Sequence, residues 1–492
     1  MLPGLTRSHP RDDPAIEAED RAWSYGELDA LANRYARAFR EARLVPGDRV
    51  SFVCANDARL VAGYIGAFRA RLVANPINNR LLPEEIAWIL GHAGSACVVA
   101  SEEFLPAVES SMGLAACRPA VIALGRDDAR IAAFSAAPLE GDAPTPSDGA
   151  LLIYTSGTTG KPKGVLLTQA NVAAGIEYVS RGFEMRAGDR TFCVMPLFHT
   201  NGLMFSTLPF LHAGGTVVLK KRFSATQFWN QVRESRASSA SVSPTILAML
   251  LEHEASAPQP SQIALRYIKV ASAPTPVELA RRFEARFGRG LLLETYGLTE
   301  TTAINVWNPL HGPRKHGAIG VALAPQEARI VDDEGNPLPR GAVGEIEIRG
   351  ATVMKEYYRD PENTRRAKRG EWLRTGDVAR MDEDGYIFIV GRSKEMILRG
   401  GENISPLEIE EVVTKHPAVR EAAAVGVPDR IWGETVALCV VARSPVTEEE
   451  LVTFCREHLS PFKVPQRVKF VEELPRNAVG KVTRNALRSA FP

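Results

Sequence analysis

Residues 151–164 read LLIYTSGTTGKPKG, and they gather the side chains that could hold an anion. Thr155, Ser156, Thr158 and Thr159 bring hydroxyl donors, and Lys161 and Lys163 bring positive charge. Gly157, Gly160 and Gly164 let the backbone turn its N–H groups towards a ligand. The apolar run 151–154 ahead of them reads as a strand. This is the composition of a phosphate cradle, but not of an ordinary P-loop. That motif needs four residues between its glycines and then Gly-Lys-Ser/Thr opening a helix. Here Gly157 and Gly160 stand too close, and Pro162 disfavours helical backbone at Lys161. A strand, Val165-Leu166-Leu167, follows instead.

A second group of candidates lies at Tyr296-Gly297-Leu298-Thr299-Glu300, directly after a strand-like run. An aromatic ring can cover a nucleobase, glycine permits close approach, and threonine can donate to phosphate. Glu300 can hold a hard cation, and Mg²⁺ needs only one such carboxylate when substrate phosphates complete its shell. In Thr375-Gly376-Asp377, on a turn, the carboxylate could accept from both hydroxyls of a ribose, as an acidic residue does in dinucleotide folds.

Taken in order along the chain, YTSGTTGKPKG, YGLTE, TGD, GR and the PRNAVGK that ends at Lys481 resemble the motifs of the adenylate-forming superfamily. That superfamily comprises acyl-CoA synthetases, luciferases and peptide-synthetase adenylation domains. The resemblance runs from about residue 20 to the end. It implies an α/β fold: a large N-terminal domain of mixed β-sheets covered by helices (1–391), plus a small mobile α+β C-terminal domain (395–492), with a hinge near Lys394.

By the same resemblance, the nucleotide is contacted by Thr155 to Gly160, Lys163, Ser272-Ala273-Pro274, Glu294, Thr295, Tyr296, Gly297, Thr299, Asp377 and Arg392. Glu300 and Thr155 hold Mg²⁺. Lys481 bridges the carboxylate and the α-phosphate, where a compact ammonium meets gathering negative charge. His199, in PLFHTNG, gates the passage between acyl pocket and thiol tunnel; a general-base role is the weaker alternative. Thr200, Asn201, Ser272, Gly297 and Ala303 join it around the acid. Gly400 and Gly401 let pantetheine pass, and Trp432, Phe462 and Lys463 contact the CoA nucleotide. The match at these last three is looser, because Val464 and Gln466 stand where aryl-CoA ligases carry basic residues.

The elements that must position these residues follow from periodicity and punctuation. Ser24 and Glu27 form a capping-box pattern before an amphipathic run at 28–39. Residues 49–54 and 96–100 read as strands, and Pro83 opens a helix that Gly91 is expected to stop. Such alternation implies mostly parallel sheets covered by helices. Strands are expected at 216–219, 267–270 and 291–295, with a helix at 276–287 closed by Gly288. From about residue 320, two strand-like runs separated by Gly/Pro/Asn turns suggest an antiparallel meander. The tail carries capping-box patterns at Ser405/Glu408 and Thr447/Glu450, with strands near 421–427, 435–441 and 467–472.

Lys+Arg 59 against Asp+Glu 58 gives a net charge of +1, which argues against nucleic-acid or anionic-membrane partners. The six cysteines form no CxxC pair and read as small buried hydrophobes in a reducing compartment. With no signal-peptide core and no membrane-span-length apolar run, the expected location is cytoplasmic.

The implied reaction is an ATP-dependent acyl-CoA synthesis. A small or medium carboxylic acid is activated as acyl-AMP with release of pyrophosphate, and CoA then displaces AMP. Loading of a carrier protein, a non-catalytic nucleotide-binding relative and luciferase-like oxygenation stay open, as does a homodimer. The stretch 301–307, TTAINVW, is expected to line the acid pocket and holds no basic residue, so a monocarboxylate is expected. A cation brought in by folding would reverse that expectation.

Overall fold

The structure is a computed structural model. It describes residues 2–141, 143–155, 162–253, 257–302, 304–400, 402–476 and 482–491. The first layer is a seven-stranded sheet whose centre is parallel: Val73–Pro76, Arg49–Val53, Ser95–Ser101 and Ala120–Leu124. On its other flank the strand Gly149–Thr155 turns back antiparallel into Lys163–Thr168. Thr155 thereby stands opposite Lys163 at the mouth of the hairpin that carries the phosphate-cradle sequence.

The second sheet begins parallel and ends antiparallel. Thr216–Leu219, Arg190–Cys193, Ser239–Val242, Tyr267–Val270 and Leu292–Gly297 run side by side in parallel. Past Leu292–Gly297 the sheet continues antiparallel through Ile304–Trp307, Ala318–Ala322, Ile387–Arg392 and Trp372–Met381 to Val343–Arg349 and Glu327–Val331. The last two strands are the expected meander. The parallel strands are largely buried on both faces; Thr216–Leu219 (TVVL) reads as a near-continuous apolar run, whereas Arg190–Cys193, Ser239–Val242 and Tyr267–Val270 bury polar side chains as well.

The C-terminal module has its own five-stranded sheet, built on the long pair Val419–Asp429 and Gly433–Ala442. Arg467–Phe470 adds in parallel beside Gly433–Ala442, and Pro406–Val413 and Glu448–His458 supply helices. Its aliphatic core (Ile397, Ile409, Leu438, Leu451) is separate from the cores of the N-terminal domain. The last strand of the N-terminal domain ends at Arg392, a short 3-10 turn spans Ser393–Glu395, and the first strand of the module starts at Ile397.

Local chemistry explains most element boundaries. In the helix Tyr25–Glu41 the Ser24 hydroxyl accepts from the Glu27 N–H at 3.2 Å, and the Glu27 carboxylate accepts from the Ser24 N–H at 2.8 Å. The box at Thr447/Glu450 is also complete. Two expectations need correction. The helix opened by Pro83 runs through Gly91 to Ala93 and stops at Gly94, which takes the left-handed conformation (φ 62°). Gly91 lacks that geometry, and helical glycine costs only about 1 kcal/mol. At Ser405 only half of the box forms: its hydroxyl accepts from the Glu408 N–H. The Glu408 carboxylate is taken instead by Lys463 Nζ at 2.6 and 2.8 Å.

Candidate active site

Three residues that lie far apart in sequence meet where the second sheet changes from parallel to antiparallel. Asp377 and Arg392 are paired across adjacent strands, and Arg392 Nε forms an ion pair with Asp377 Oδ1 at 2.8 Å. Tyr296, at the end of Leu292–Gly297, donates its hydroxyl to Asp377 Oδ2 at 2.6 Å. Burial, and then the Asp377 charge, push the Tyr296 phenol well above its ordinary pKa, so it stays a donor. Both oxygens of a buried carboxylate are thus held, one by a cation and one by a phenol.

A second chain of contacts runs from the phosphate hairpin to the metal motif. Lys163 Nζ donates to Asn363 Oδ1 at 2.9 Å and lies 5.1 Å from the Tyr357 ring centroid. The Tyr357 hydroxyl in turn donates to Glu300 Oε1 at 2.8 Å. Glu300 sits on the 3-10 turn Thr299–Thr301, and its carbonyl accepts from the Met354 N–H at 2.8 Å. The expected Mg²⁺ fits this donor set by its chemistry: one carboxylate linked through Tyr357 to a hairpin suited to phosphate, where substrate oxygens would complete the shell. No cluster of three or more His, Cys, Asp or Glu side chains suited to a metal occurs among the described residues.

The residues expected around the acid centre on Asn201. This residue opens a π-helix, Asn201–Thr207, a rare form that often marks functional sites. Its Nδ2 donates to Ser272 Oγ at 3.1 Å, and its Oδ1 accepts from Ser241 Oγ at 2.6 Å. Ser272 holds φ 79°, a left-handed conformation that costs a non-glycine residue on the order of 1–3 kcal/mol and is typical of sites under constraint. His199 packs its ring 4.6 Å from that of Phe198, and its Nε2 is closed off from solvent with no hydrogen-bond partner. Burial, and then the Arg80 charge, push the imidazole down to about 4, so it is neutral at pH 7. A base that weak suits a gate or pocket wall better than proton abstraction.

Glu294 stands apart from this network. It lines a cavity of about 510 Å³ with Glu284, Asn308, Arg314 and His316, and burial raises its carboxyl to about 8. A slightly larger cavity of about 560 Å³, bordered by Trp23, Glu27, Arg34 and Arg59, contains none of the candidate residues.

On the C-terminal module the residues expected to meet CoA come together. Gly400 (φ 60°) donates its N–H to the Trp432 carbonyl at 2.8 Å, and a Cβ at Gly400 would lie 2.8 Å from the Trp432 ring. Arg399 joins them, its guanidinium 5.4 Å from the Trp432 centroid and its Nη1 donating to the Phe462 carbonyl at 2.6 Å. Trp432 and Phe462 are 49% and 37% exposed, with Arg399 against the Trp432 ring and Lys463 Nζ 5.5 Å from the Phe462 ring centroid. Lys463 points instead to Glu408. Ser156 to Gly160, Lys161, Ala303, Gly401 and Lys481 lie outside the described residues.

Comparison with known proteins agrees with this layout. Residues 6–358 match the AMP-binding enzyme family, and residues 408–481 match the AMP-binding enzyme C-terminal domain. The chain belongs to the AMP-binding enzyme family. It is 39% identical over 485 residues to a sulfoacetate–CoA ligase of Cupriavidus necator, covering 96% of this chain and 94% of that one. It is 36% identical to an oxalate–CoA ligase of Arabidopsis thaliana, over 94% and 92% of the two chains. Among solved structures, ATP-bound MatB from Rhodopseudomonas palustris superposes with a TM-score of 0.93 at 31% identity, covering 100% of this chain and 98% of that one. Like its relatives, this family member is an enzyme with a large N-terminal domain and a small α+β C-terminal one. Among its described residues no helix is long and apolar enough to cross a membrane.

Sequence reasoning missed several contributors. Tyr357, Asn363, Ser241 and Arg399 lie in no motif; each reaches the site only through pairing of distant strands or turns. Arg399, next to the glycine pair, carried the one local signal, a cation adjoining a proposed binding loop.

Proposed function

We propose that the chain is an ATP-dependent acyl-CoA synthetase that activates a short carboxylic acid as its acyl-adenylate and passes the acyl group to CoA. The observation that carries this reading is the pair of contact chains, Tyr296–Asp377–Arg392 and Lys163–Tyr357–Glu300, that flank the phosphate hairpin. Similarity to CoA ligases for sulfoacetate and oxalate supports both the acceptor and a small acid.

In the first half-reaction a carboxylate oxygen attacks the α-phosphorus of ATP. An O–P bond forms, the α–β phosphoanhydride breaks, and pyrophosphate leaves. Asp377 holds the ribose hydroxyls, with Arg392 and Tyr296 keeping its carboxylate in place. Lys163 and the hairpin hydroxyls hold the phosphates, and Lys481 bridges acid and α-phosphate. Mg²⁺, held by Glu300 and Thr155 together with phosphate oxygens, would supply the positive charge that eases departure of pyrophosphate.

In the second half-reaction the CoA thiolate attacks the acyl carbon, a C–S bond forms, and the C–O bond to AMP breaks. His199 gates the thiol's approach. The C-terminal module turns about Lys394, withdrawing Lys481 and presenting the Gly400–Trp432 face. The exposed Trp432–Arg399 pair can stack and charge-pair with an adenine nucleotide, which favours free CoA over a carrier protein.

Acid-dependent ATP–pyrophosphate exchange, followed by AMP release with CoA across short, medium, aromatic and dicarboxylic acids, tests this reading. Exchange and CoA-dependent AMP release with at least one short acid are expected. Absence of exchange with every acid would overturn it, and exchange without CoA-dependent release would point to a carrier protein.

A further inference from the structure

The strand Tyr267–Val270 buries a lysine in the apolar core of the N-terminal domain. Lys269 is 0% exposed, and among the described residues no carboxylate pairs with it. Its Nζ donates to the Phe205 carbonyl and lies 5.3 and 5.4 Å from the ring centroids of Phe183 and Phe210. One carbonyl and three rings, the Tyr267 centroid at 6.0 Å being the third, are poor compensation for the hydration of an ammonium. A fully buried cation without an anion is seldom kept for stability, since an apolar residue of similar volume would serve at least as well.

Its position suggests a reason. Strand register sets Lys269 beside Ser241, with both side chains on the same face of the sheet. Ser241 bonds Asn201 and Asn201 bonds Ser272, so this row of the sheet continues the wall expected to hold the acid. Phe205, which accepts from the lysine, is on the same π-helix as Asn201, about one turn further in. Two hydroxyls here find no partner among the described residues: Thr191, on this face of the sheet, and Ser206, the residue after Phe205. Buried polar groups are normally satisfied, and unpartnered hydroxyls on the face and helix that border a buried cation mark a place suited to an anion or its waters. Burial pushes the lysine down to about 7, so a neighbouring negative charge would be needed to hold it fully protonated at neutral pH.

We propose that Lys269 is a specificity-determining residue that pairs with a second anionic group, carboxylate or sulfonate, at the far end of a short acid. The inference rests on the acyl-CoA synthetase reading above. It also reverses the monocarboxylate expected from residues 301–307, because the missing cation comes from a different strand.

The test compares kcat/KM for AMP release with propanoate, malonate and sulfoacetate on the full-length enzyme. Malonate or sulfoacetate should be preferred over propanoate by tenfold or more, and which of the two is better separates carboxylate from sulfonate recognition. In Lys269→Met the ratio of the better anionic acid to propanoate should fall at least a hundredfold, chiefly through KM, whereas Lys269→Arg should retain most of it. Thermal midpoints of both variants establish that they fold, and the wild-type comparison needs no variant. Preference for propanoate in the wild-type enzyme, or an unchanged ratio in Lys269→Met, would overturn the proposal while leaving the synthetase reading intact. Absence of pyrophosphate exchange with any acid would overturn the synthetase reading itself.

Discussion

The nucleotide side and the acid side of this enzyme are built in opposite ways. Around Asp377 the carboxylates are held before any ligand arrives: both oxygens of Asp377 by Arg392 and Tyr296, and Glu300 Oε1 by Tyr357. On the proposed acid side, Lys269 has no counter-ion and Thr191, Ser206 and His199 Nε2 have no partner among the described residues. A ribose and a triphosphate are common to every turnover in the family, so their contacts can be fixed in advance, and preorganised groups lose little on binding. The acid differs between relatives, and its recognition is left as unsatisfied polar groups that only a complementary ligand would complete. Rejection of the wrong acid then follows from leaving those groups unpaired.

The largest effect that could break this comparison is expected at Lys481. Lys481→Ala should lower acyl-AMP formation by at least a thousandfold and leave thioester formation from supplied acyl-AMP nearly unchanged. Stopped-flow measurement of the two half-reactions would check this, and equal loss in both would remove the two-state assignment.

Asp377→Ala tests the prebuilt side. It leaves Arg392, itself about 31% exposed on its side chain, without its anion. A stability loss of about 2 kcal/mol is expected, below the 3–5 kcal/mol of a fully buried pair because solvent screens the guanidinium. The KM for ATP should rise roughly a hundredfold at 1.4 kcal/mol per decade. Calorimetry and ATP titration measure the two separately; a loss of stability without any change in KM would make the cluster purely structural.

Lys394→Pro should slow the thioester step by about tenfold or more while sparing adenylation, because proline fixes φ near −65° and opposes a large dihedral change. If both half-reactions keep their wild-type rates, the pivot lies elsewhere.

Trp432→Ala should raise the KM for CoA about tenfold, in line with roughly 1–2 kcal/mol for a stacked cationic and aromatic contact, and leave pyrophosphate exchange unaltered.

The smallest expected effect is the pH dependence from His199. Its folded-state value of about 4 lies below the unfolded 6.5, so the unfolded chain binds more protons between those values. Stability should therefore be insensitive to this group above about pH 6.5 and fall as pH drops towards 4. Urea midpoints from pH 7 to pH 4 for the wild type and His199→Phe would show it: the variant's slope should be the shallower.

Much of this was legible in the chain itself. The phosphate hairpin, the Tyr296–Glu300 motif and Thr375–Asp377 are contiguous runs in which residue type and spacing carry the chemistry, although Thr375–Asp377, expected on a turn, lies within the strand Trp372–Met381 because it pairs with the neighbouring strand. The same holds for helix starts at Ser24 and Thr447, where capping is settled within four residues. Gly91 and Gly94 show the limit of such reading. Both are glycines near a helix end, and only the backbone conformation decides which one stops it. Ser405 shows another limit, because Glu408 found a stronger partner in Lys463, 55 residues away.

By itself, then, the sequence determined the order of motifs, the two-domain division and the family, since these depend on local pattern and on short-range backbone preference. The tertiary structure decided which side chains meet. Tyr357 reaches Glu300, Arg399 reaches Trp432, and Lys269 enters the wall of the acid site through sheet register between strands far apart in the chain. A lysine in the run YIKV reads as one polar residue in a strand; that it is a buried cation facing orphan hydroxyls follows from which face of the sheet it occupies and from what packs there.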